Sequence, residues 1–122
     1  MSINVCNKLC GECPFSNKSP QGWLADYSVD DIQNFMNGEA LFPCHKMVTD
    51  DDMTQAEVQE AIESGEMRLC RGYVESFIKS CKMPKFNIFL KGAIAIVKTE
   101  GTSENSMSLR DFRSHHETIF KQ

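Results

Sequence analysis

Cys10-Gly11-Glu12-Cys13-Pro14 is the stretch on which the predicted fold of this chain depends. Two residues separate its cysteines, a spacing that lets both thiolates of one turn bind the same zinc ion or iron–sulfur cluster. Pro14 then stiffens the exit from the turn. Because the surrounding residues show little hydrophobic periodicity, we predict an irregular knuckle that a metal holds in place of hydrophobic packing.

Two later cysteines complete a predicted set of four metal ligands. Thirty residues separate Cys13 from Cys44, and 25 residues separate Cys44 from Cys70. Both stand next to turn or loop residues, which favours ligands over core thiols. The alternative is a chance CxxC pair and ordinary buried thiols. The predicted ligands are Cys10, Cys13, Cys44 and Cys70, with His45 either donating a hydrogen bond to a thiolate or acting as an alternative ligand.

Length, charge and the lack of long apolar runs argue against a nonspecific nucleic-acid binder, a secreted protein and a membrane-spanning protein. A chain of 122 residues fits one domain, and its net charge of −4 argues against a nonspecific grip on nucleic acid. The first residues show no secretory signal, and no apolar stretch approaches the roughly 20 residues of a membrane span. We therefore expect a cytoplasmic protein, in which six cysteines favour metal binding over disulfides.

Hydrophobic periodicity predicts a mainly α-helical single domain, with four to five helices around the metal site. We predict loop over most of 1–27, a helical core over 28–82 and a C-terminal helical extension over 83–122. The predicted helices span about 29–37, 53–64, 66–82, 86–97 and a terminal segment that follows Ser108.

The sequence predicts four further details of these helices. Cys70 is predicted in the first turns of helix 66–82, and Cys81 is predicted as a core thiol on the apolar stripe of that helix. The segment 86–97 contains an apolar run that is also typical of a buried strand, but the spacing of Phe86 and later apolar residues favours a helix facing inward. In the terminal helix, Leu109, Phe112, His116, Ile119 and Phe120 are predicted to face inward.

Other chemistries fit parts of the cysteine pattern. Cys6-x3-Cys10-x2-Cys13 has the spacing of radical S-adenosylmethionine enzymes, but those need a large α/β barrel that this chain is too short to build. Cys10 and Cys13 also have thioredoxin spacing, yet no strand pattern precedes them. A small metal-dependent enzyme acting through His45 and Asp50–Asp52 stays open as an alternative.

Four motifs follow one another along the chain: Cys10-x-x-Cys13-Pro14-Phe15, Ser19-Pro20-x-Gly22-Trp23-Leu24, Phe42-Pro43-Cys44-His45-Lys46 and Cys70-x-Gly72. In this order they resemble a family of small uncharacterised proteins of bacteria and their phages. The chain is similar to this family over roughly residues 10 to 80. Ser16 stands where the family tends to have a basic residue, and Arg71 where it tends to have alanine. The resemblance implies a metal-binding cysteine set and a phage or mobile-element origin, with Cys6 and Cys81 outside the set.

Two functions follow from the two kinds of metal that four thiolates bind. Zn²⁺ held by four sulfurs would be structural, because no position is left open for a substrate, and the chain would serve as an interaction module for a host or phage protein. A [4Fe-4S] cluster is the alternative cofactor, since one CxxC pair followed by proline, with scattered single cysteines, is also typical of such clusters. The protein would then be a redox-sensitive regulator or an electron carrier.

Overall fold

The computed structural model describes residues 3–6, 15–18, 28–43 and 54–117. Within these ranges the chain forms five α-helices and three isolated β-bridges, without a β-strand. The prediction of a mainly α-helical fold with four to five helices is confirmed. The helices are α1 (Val29–Asn37), α2 (Gln55–Ser64), α3 (Arg71–Lys79), α4 (Ile88–Glu100) and α5 (Leu109–Glu117).

Capping boxes begin α1 and α2. The hydroxyl of Ser28 accepts a hydrogen bond from the N–H of Asp31, whose carboxylate accepts one from the N–H of Ser28, each at 3.0 Å. Thr54 and Glu57 form the same reciprocal pair at 3.2 and 3.1 Å. Each box satisfies two backbone donors at a helix start, so the first residue of both helices is decided by local sequence.

Helix α3 lies at the centre of the described core. Seven consecutive residues of this helix, from Arg71 to Phe77, are buried. It packs against α4 and α5, and α1 packs against α5. Buried apolar side chains from all five helices join one cluster, which also contains Phe15, Leu41, Phe42, Met67, Leu69 and Met107.

Helix α3 is shorter than the 66–82 span that the sequence predicted. The N–H of Leu69 donates to the carbonyl of Asn4 at 2.7 Å, and the carbonyl of Leu69 accepts from Cys6 at 3.1 Å. Because its N–H and its carbonyl both form hydrogen bonds with the N-terminal segment, Leu69 does not join the hydrogen bonding of the helix. Cys70 is therefore the N-cap residue of α3, and its predicted place within the first turns is wrong.

Two side chains that were predicted to face inward are exposed. Cys81 lies beyond the end of α3 with a positive φ of 58°, and it is not a core thiol. Phe86 is 84% exposed, because α4 begins only at Ile88, after Asn87 caps it through hydrogen bonds from two backbone N–H groups. In both cases the residue falls outside the helix, so the helical spacing that suggested burial does not apply.

The helical prediction for 86–97 is confirmed by α4, and most of the predicted inward face of α5 is confirmed as well. Leu109, Phe112 and His116 are buried, while Ile119 and Phe120 lie outside the described residues. None of the helices in the described ranges combines the length and the apolar character that a bilayer span requires.

Candidate metal centre

One of the four predicted ligands, Cys70, lies in the described part of the chain. The other predicted site residues, Cys10, Cys13, Cys44 and His45, lie outside it, as do Asp50–Asp52. Among the described residues, no three His, Cys, Asp or Glu side chains come together as a metal-binding group. The geometry that bears on the site is therefore that of the residues next to these cysteines in the chain.

Cys70 is buried at the start of the central helix. Its side chain is 3% exposed, and its backbone is extended, with φ −63° and ψ 119°, before α3 begins. A helix N-terminus carries partial positive charge, which favours a negatively charged group such as a thiolate. The position of Cys70 fits a metal ligand of that kind.

The peptide of Leu69 joins two other segments of the chain. Val5 pairs with Leu69 in a parallel bridge, and Pro43 pairs with it in an antiparallel bridge. The N–H of Cys70 also donates to the carbonyl of Phe42 at 2.8 Å. Since Pro43 and Leu69 directly precede Cys44 and Cys70 in the sequence, the residues before two predicted ligands lie side by side.

An aromatic cluster of Phe15, Phe42 and Tyr73 brings together the neighbours of three predicted ligands. Phe15 follows Cys13 by two residues, Phe42 precedes Cys44 by two, and Tyr73 follows Cys70 by three. Their ring centroids are 5.9 Å (Phe15 to Phe42), 5.8 Å (Phe15 to Tyr73) and 5.4 Å (Phe42 to Tyr73) apart, within the range typical of packed aromatic pairs. All three rings are buried.

Two polar side chains hold the segment that leads to Cys44. The amide of Gln59 in α2 accepts from the N–H of Leu41 and donates to its carbonyl, both at 2.7 Å. The hydroxyl of Tyr73 donates to the carbonyl of Ala40 at 2.6 Å. Burial, and then the charge of Cys70, raises the pKa of Tyr73 well above its ordinary range, so the phenol keeps its proton and remains a donor.

The segment after Pro14 is held by the loop before α5. The carbonyl of Phe15 accepts from the N–H of Met107 at 3.0 Å, and the N–H of Asn17 donates to Asn105 at 2.7 Å. The ring of Phe15 also stacks on Phe112 with centroids 4.7 Å apart. Backbone pairing and aromatic packing thus fix the residues that follow the CxxC motif in the sequence.

Arg71, next to Cys70, carries a buried ion-pair network. Its Nε donates to Glu75 at 2.8 Å and its Nη1 to Glu100 at 2.6 Å. The same guanidinium donates to the carbonyls of Cys6 and Gly101 at 3.3 and 2.9 Å. Burial acts to lower the pKa of Arg71, but hydrogen bonds and charge from Glu100 and Glu75 outweigh it and raise the pKa. Arg71 therefore stays charged and ties α3 to α4 and to the N-terminal segment.

Cys6, which is not one of the predicted ligands, contacts both chain neighbours of Cys70. Its N–H donates to the carbonyl of Leu69 at 3.1 Å, and its own carbonyl accepts from Arg71. The half-buried Cys6 thus stands beside the segment that carries Cys70. In the sequence, the spacing Cys6-x3-Cys10-x2-Cys13 relates Cys6 to two predicted ligands, but no pattern relates it to Cys70.

Comparison with known proteins finds no matching family model, no similar curated protein and no similar solved structure. A buried thiol at a helix start, with the neighbours of two other cysteine segments packed around it, suits a centre that holds segments together.

Proposed function

We propose that this chain is a metal-stapled accessory protein of phage or mobile-element type, in which Cys10, Cys13, Cys44 and Cys70 bind a structural zinc ion. The observation that carries the proposal is the aromatic cluster of Phe15, Phe42 and Tyr73. Each of these rings lies within three residues of a proposed ligand. Because the three rings pack against one another, the cysteines next to them in the sequence need only short stretches of chain to reach one ion.

A structural ion suits the chemistry of the proposed ligand set. Four thiolates fill the tetrahedral coordination of zinc and leave no position for a substrate. Structural zinc in the better-studied small modules contributes on the order of 10 kcal/mol to folding, which matters in a chain whose length of 122 residues allows only a modest core. His45 would donate a hydrogen bond to one of the thiolates.

The biological role that we propose is binding to a host or phage protein in the host cytoplasm. It is supported by the ordered cysteine, Gly-Trp and His-Lys motifs, which resemble a family of bacterial and phage proteins. A tagged chain expressed in host cells should retain one specific partner through washing, and loss of the cysteine site should release it. Retention by a variant without bound metal would separate partner binding from the metal.

Anaerobic purification tests the identity of the metal. We expect a colourless protein with one zinc per chain by elemental analysis. A brown protein with broad visible absorbance and acid-labile sulfide would show that the cysteines bind a [4Fe-4S] cluster and not zinc. The proposed role would then be a redox role. A folded chain without zinc or iron would overturn the metal site altogether.

Single substitutions test the ligand set. Cys70→Ser should abolish stoichiometric metal, whereas Cys81→Ser, at an exposed position outside the set, should leave it intact and serves as the matched control. Cys6→Ser measures whether that neighbouring thiol takes part. His45→Ala should keep the metal and the fold, and a catalytic activity that disappears in this variant would instead favour the metal-dependent enzyme.

A further inference from the structure

A short parallel pairing of two chain segments puts Cys6 in register with Cys70. The N–H of Leu69 donates to the carbonyl of Asn4 at 2.7 Å, and the N–H of Cys6 donates to the carbonyl of Leu69 at 3.1 Å. These two hydrogen bonds form the parallel bridge between Val5 and Leu69. Because parallel segments run in the same direction, the residues that directly follow the two bridge partners, Cys6 and Cys70, face each other across the pairing.

This register brings the two cysteines within the range of a disulfide bond. Paired β-segments lie about 4.7–4.9 Å apart, and the Cα atoms of disulfide-bonded cysteines lie about 4.4–6.8 Å apart. The guanidinium of Arg71 holds the two segments together beyond the bridge, since its Nη1 donates to the carbonyl of Cys6 at 3.3 Å. Cys70 itself is still extended, with φ −63° and ψ 119°. A bond between Cys6 and Cys70 is therefore compatible with the observed pairing of the chain.

The two thiols differ in their access to solvent. Cys70 is 3% exposed, whereas Cys6 is half-buried. Oxidation of thiols by peroxides follows exposure, and redox-sensing cysteines are often accessible residues beside a second cysteine that resolves them. Cys6 is therefore the thiol that a peroxide reaches first, and Cys70 is the thiol in register to react with the product.

We propose that Cys6 is a redox sensor for the metal site and that hydrogen peroxide switches it by linking Cys6 to Cys70. The thiolate of Cys6 attacks one oxygen of the peroxide, the O–O bond breaks, hydroxide leaves and Cys6 becomes a sulfenic acid. The thiolate of Cys70 then attacks the sulfur of that sulfenic acid, which forms the S–S bond and releases a second hydroxide. Together the two sulfurs lose the two electrons that the peroxide gains, and protons from solvent convert both hydroxides to water.

The consequence for the metal rests on the proposed function. With Cys70 as one of four thiolates that bind zinc, the disulfide removes one ligand, and the other three hold the ion less tightly. Cys6 lies outside the set, so it can react while all four ligands are bound. Disulfides in the cytosol are usually transient and often redox-sensing, so reduction should return Cys70 to the metal.

Mass spectrometry of tryptic peptides tests the disulfide directly. Cleavage after lysine and arginine places Cys6 in peptide 1–8 and Cys70 in peptide 69–71, whereas Cys10 and Cys13 share peptide 9–18. Mild peroxide treatment of the full chain, followed by alkylation of the remaining thiols, should yield peptide 1–8 linked to peptide 69–71. Cys6→Ser should abolish this product. Cys81→Ser removes an exposed thiol and is the matched control, which should form the link as the wild type does.

Zinc release, followed with a chromophoric chelator, is the second readout. Peroxide should release zinc from the wild type and from Cys81→Ser, whereas Cys6→Ser should keep its zinc under the same treatment. Reduction in the presence of added zinc should restore the bound ion. Far-UV circular dichroism confirms that Cys6→Ser is folded, and Cys6→Ala replaces it if it is not.

Three results would overturn the proposal. The first is a disulfide within peptide 9–18 as the initial product, and the second is equal zinc loss from the wild type and from Cys6→Ser. The third is a lower zinc content of Cys6→Ser before any peroxide is added, because Cys6 would then be a ligand. A chain that binds zinc but forms no link between Cys6 and Cys70 refutes the redox sensor alone. A chain that forms the link but binds no metal refutes the structural zinc and supports the reaction between the two cysteines.

Discussion

Arg71 and Glu75 form an ion pair one helical turn apart in α3, with 2.8 Å between Nε and Oε2, and both side chains are almost completely buried. The second oxygen of Glu75 accepts the N–H of Ser103 at 2.7 Å. One carboxylate thus satisfies a guanidinium on its own helix and a backbone group in the loop after α4. This explains how two charged residues are accommodated in the core.

Arg71→Ala should destabilise the fold by about 3–5 kcal/mol, because it leaves the carboxylate of Glu75 buried without its cation. Denaturant unfolding measures the loss of free energy. An Arg71→Met, Glu75→Leu double variant removes both charges and should be less unstable than Arg71→Ala. A neutral single variant would contradict the buried-pair argument.

Gln59→Ala should cost about 1–3 kcal/mol, because the N–H and the carbonyl of Leu41 both lose their partner. Gln59 is far from the cysteines in sequence, yet it holds the segment that leads to Cys44. The variant should therefore also bind zinc more weakly, which a competition titration with a chromophoric chelator measures. Exposed Glu60→Ala on the same helix is the control and should change neither quantity. If Gln59→Ala binds zinc as tightly as the wild type, the position of this segment does not affect metal binding.

Glu39→Gln should remove part of the acid sensitivity of the fold. Hydrogen bonds from the backbone of Asn87, and then of Lys85 and Phe86, lower the pKa of Glu39 below its ordinary value of 4.5. Because the folded pKa is the lower one, this contribution is fully present above pH 4.5 and is lost as the pH falls through the folded pKa. Urea midpoints, measured from pH 7 down to the lowest pH at which the protein keeps its metal, should fall less steeply in the variant. An identical pH dependence would show that the carboxylate is protonated equally in both states.

Removal of metal should unfold the wild-type chain. Structural zinc contributes on the order of 10 kcal/mol, so a strong zinc chelator should abolish the cooperative thermal transition, and added zinc should restore it. Acid should have the same effect as the chelator, because protonated thiols release the ion. Cys70→Ser should show no further response to the chelator. A wild-type melting temperature that ignores the chelator would argue against a stabilising metal.

Gly92→Ala should stabilise the protein by about 1 kcal/mol, since alanine is the better helix former and a Cβ at this position meets no atom within 4 Å. Gly101→Ala is the contrasting change. Its φ of +96° is strained for a residue with a side chain, so that variant should lose about 1–3 kcal/mol. Thermal unfolding of the pair checks both signs. Equal effects of the two variants would contradict the assigned end of α4.

Local sequence by itself determined the helices, because their signals act within one or two turns. Ser28 with Asp31 marks the start of α1, and the apolar spacing after Asn87 marks α4 in spite of Gly92. The same information predicts that Cys70 belongs to a set of metal ligands, but it gives no distances between the cysteines. Hydrophobic spacing also predicted an α3 that is too long at both ends, because the spacing contains no information about the hydrogen-bond partners of the backbone.

Tertiary structure decided the features that depend on partners distant in the chain. Leu69 leaves the helix because its peptide pairs with Asn4 and Cys6, and Arg71 is buried because Glu75, Glu100 and two carbonyls meet it there. Cys6 comes to lie beside the segment that carries Cys70 for the same reason. Hydrogen bonds and ion pairs between distant segments form only once the chain has folded, so no local pattern of residues could predict them.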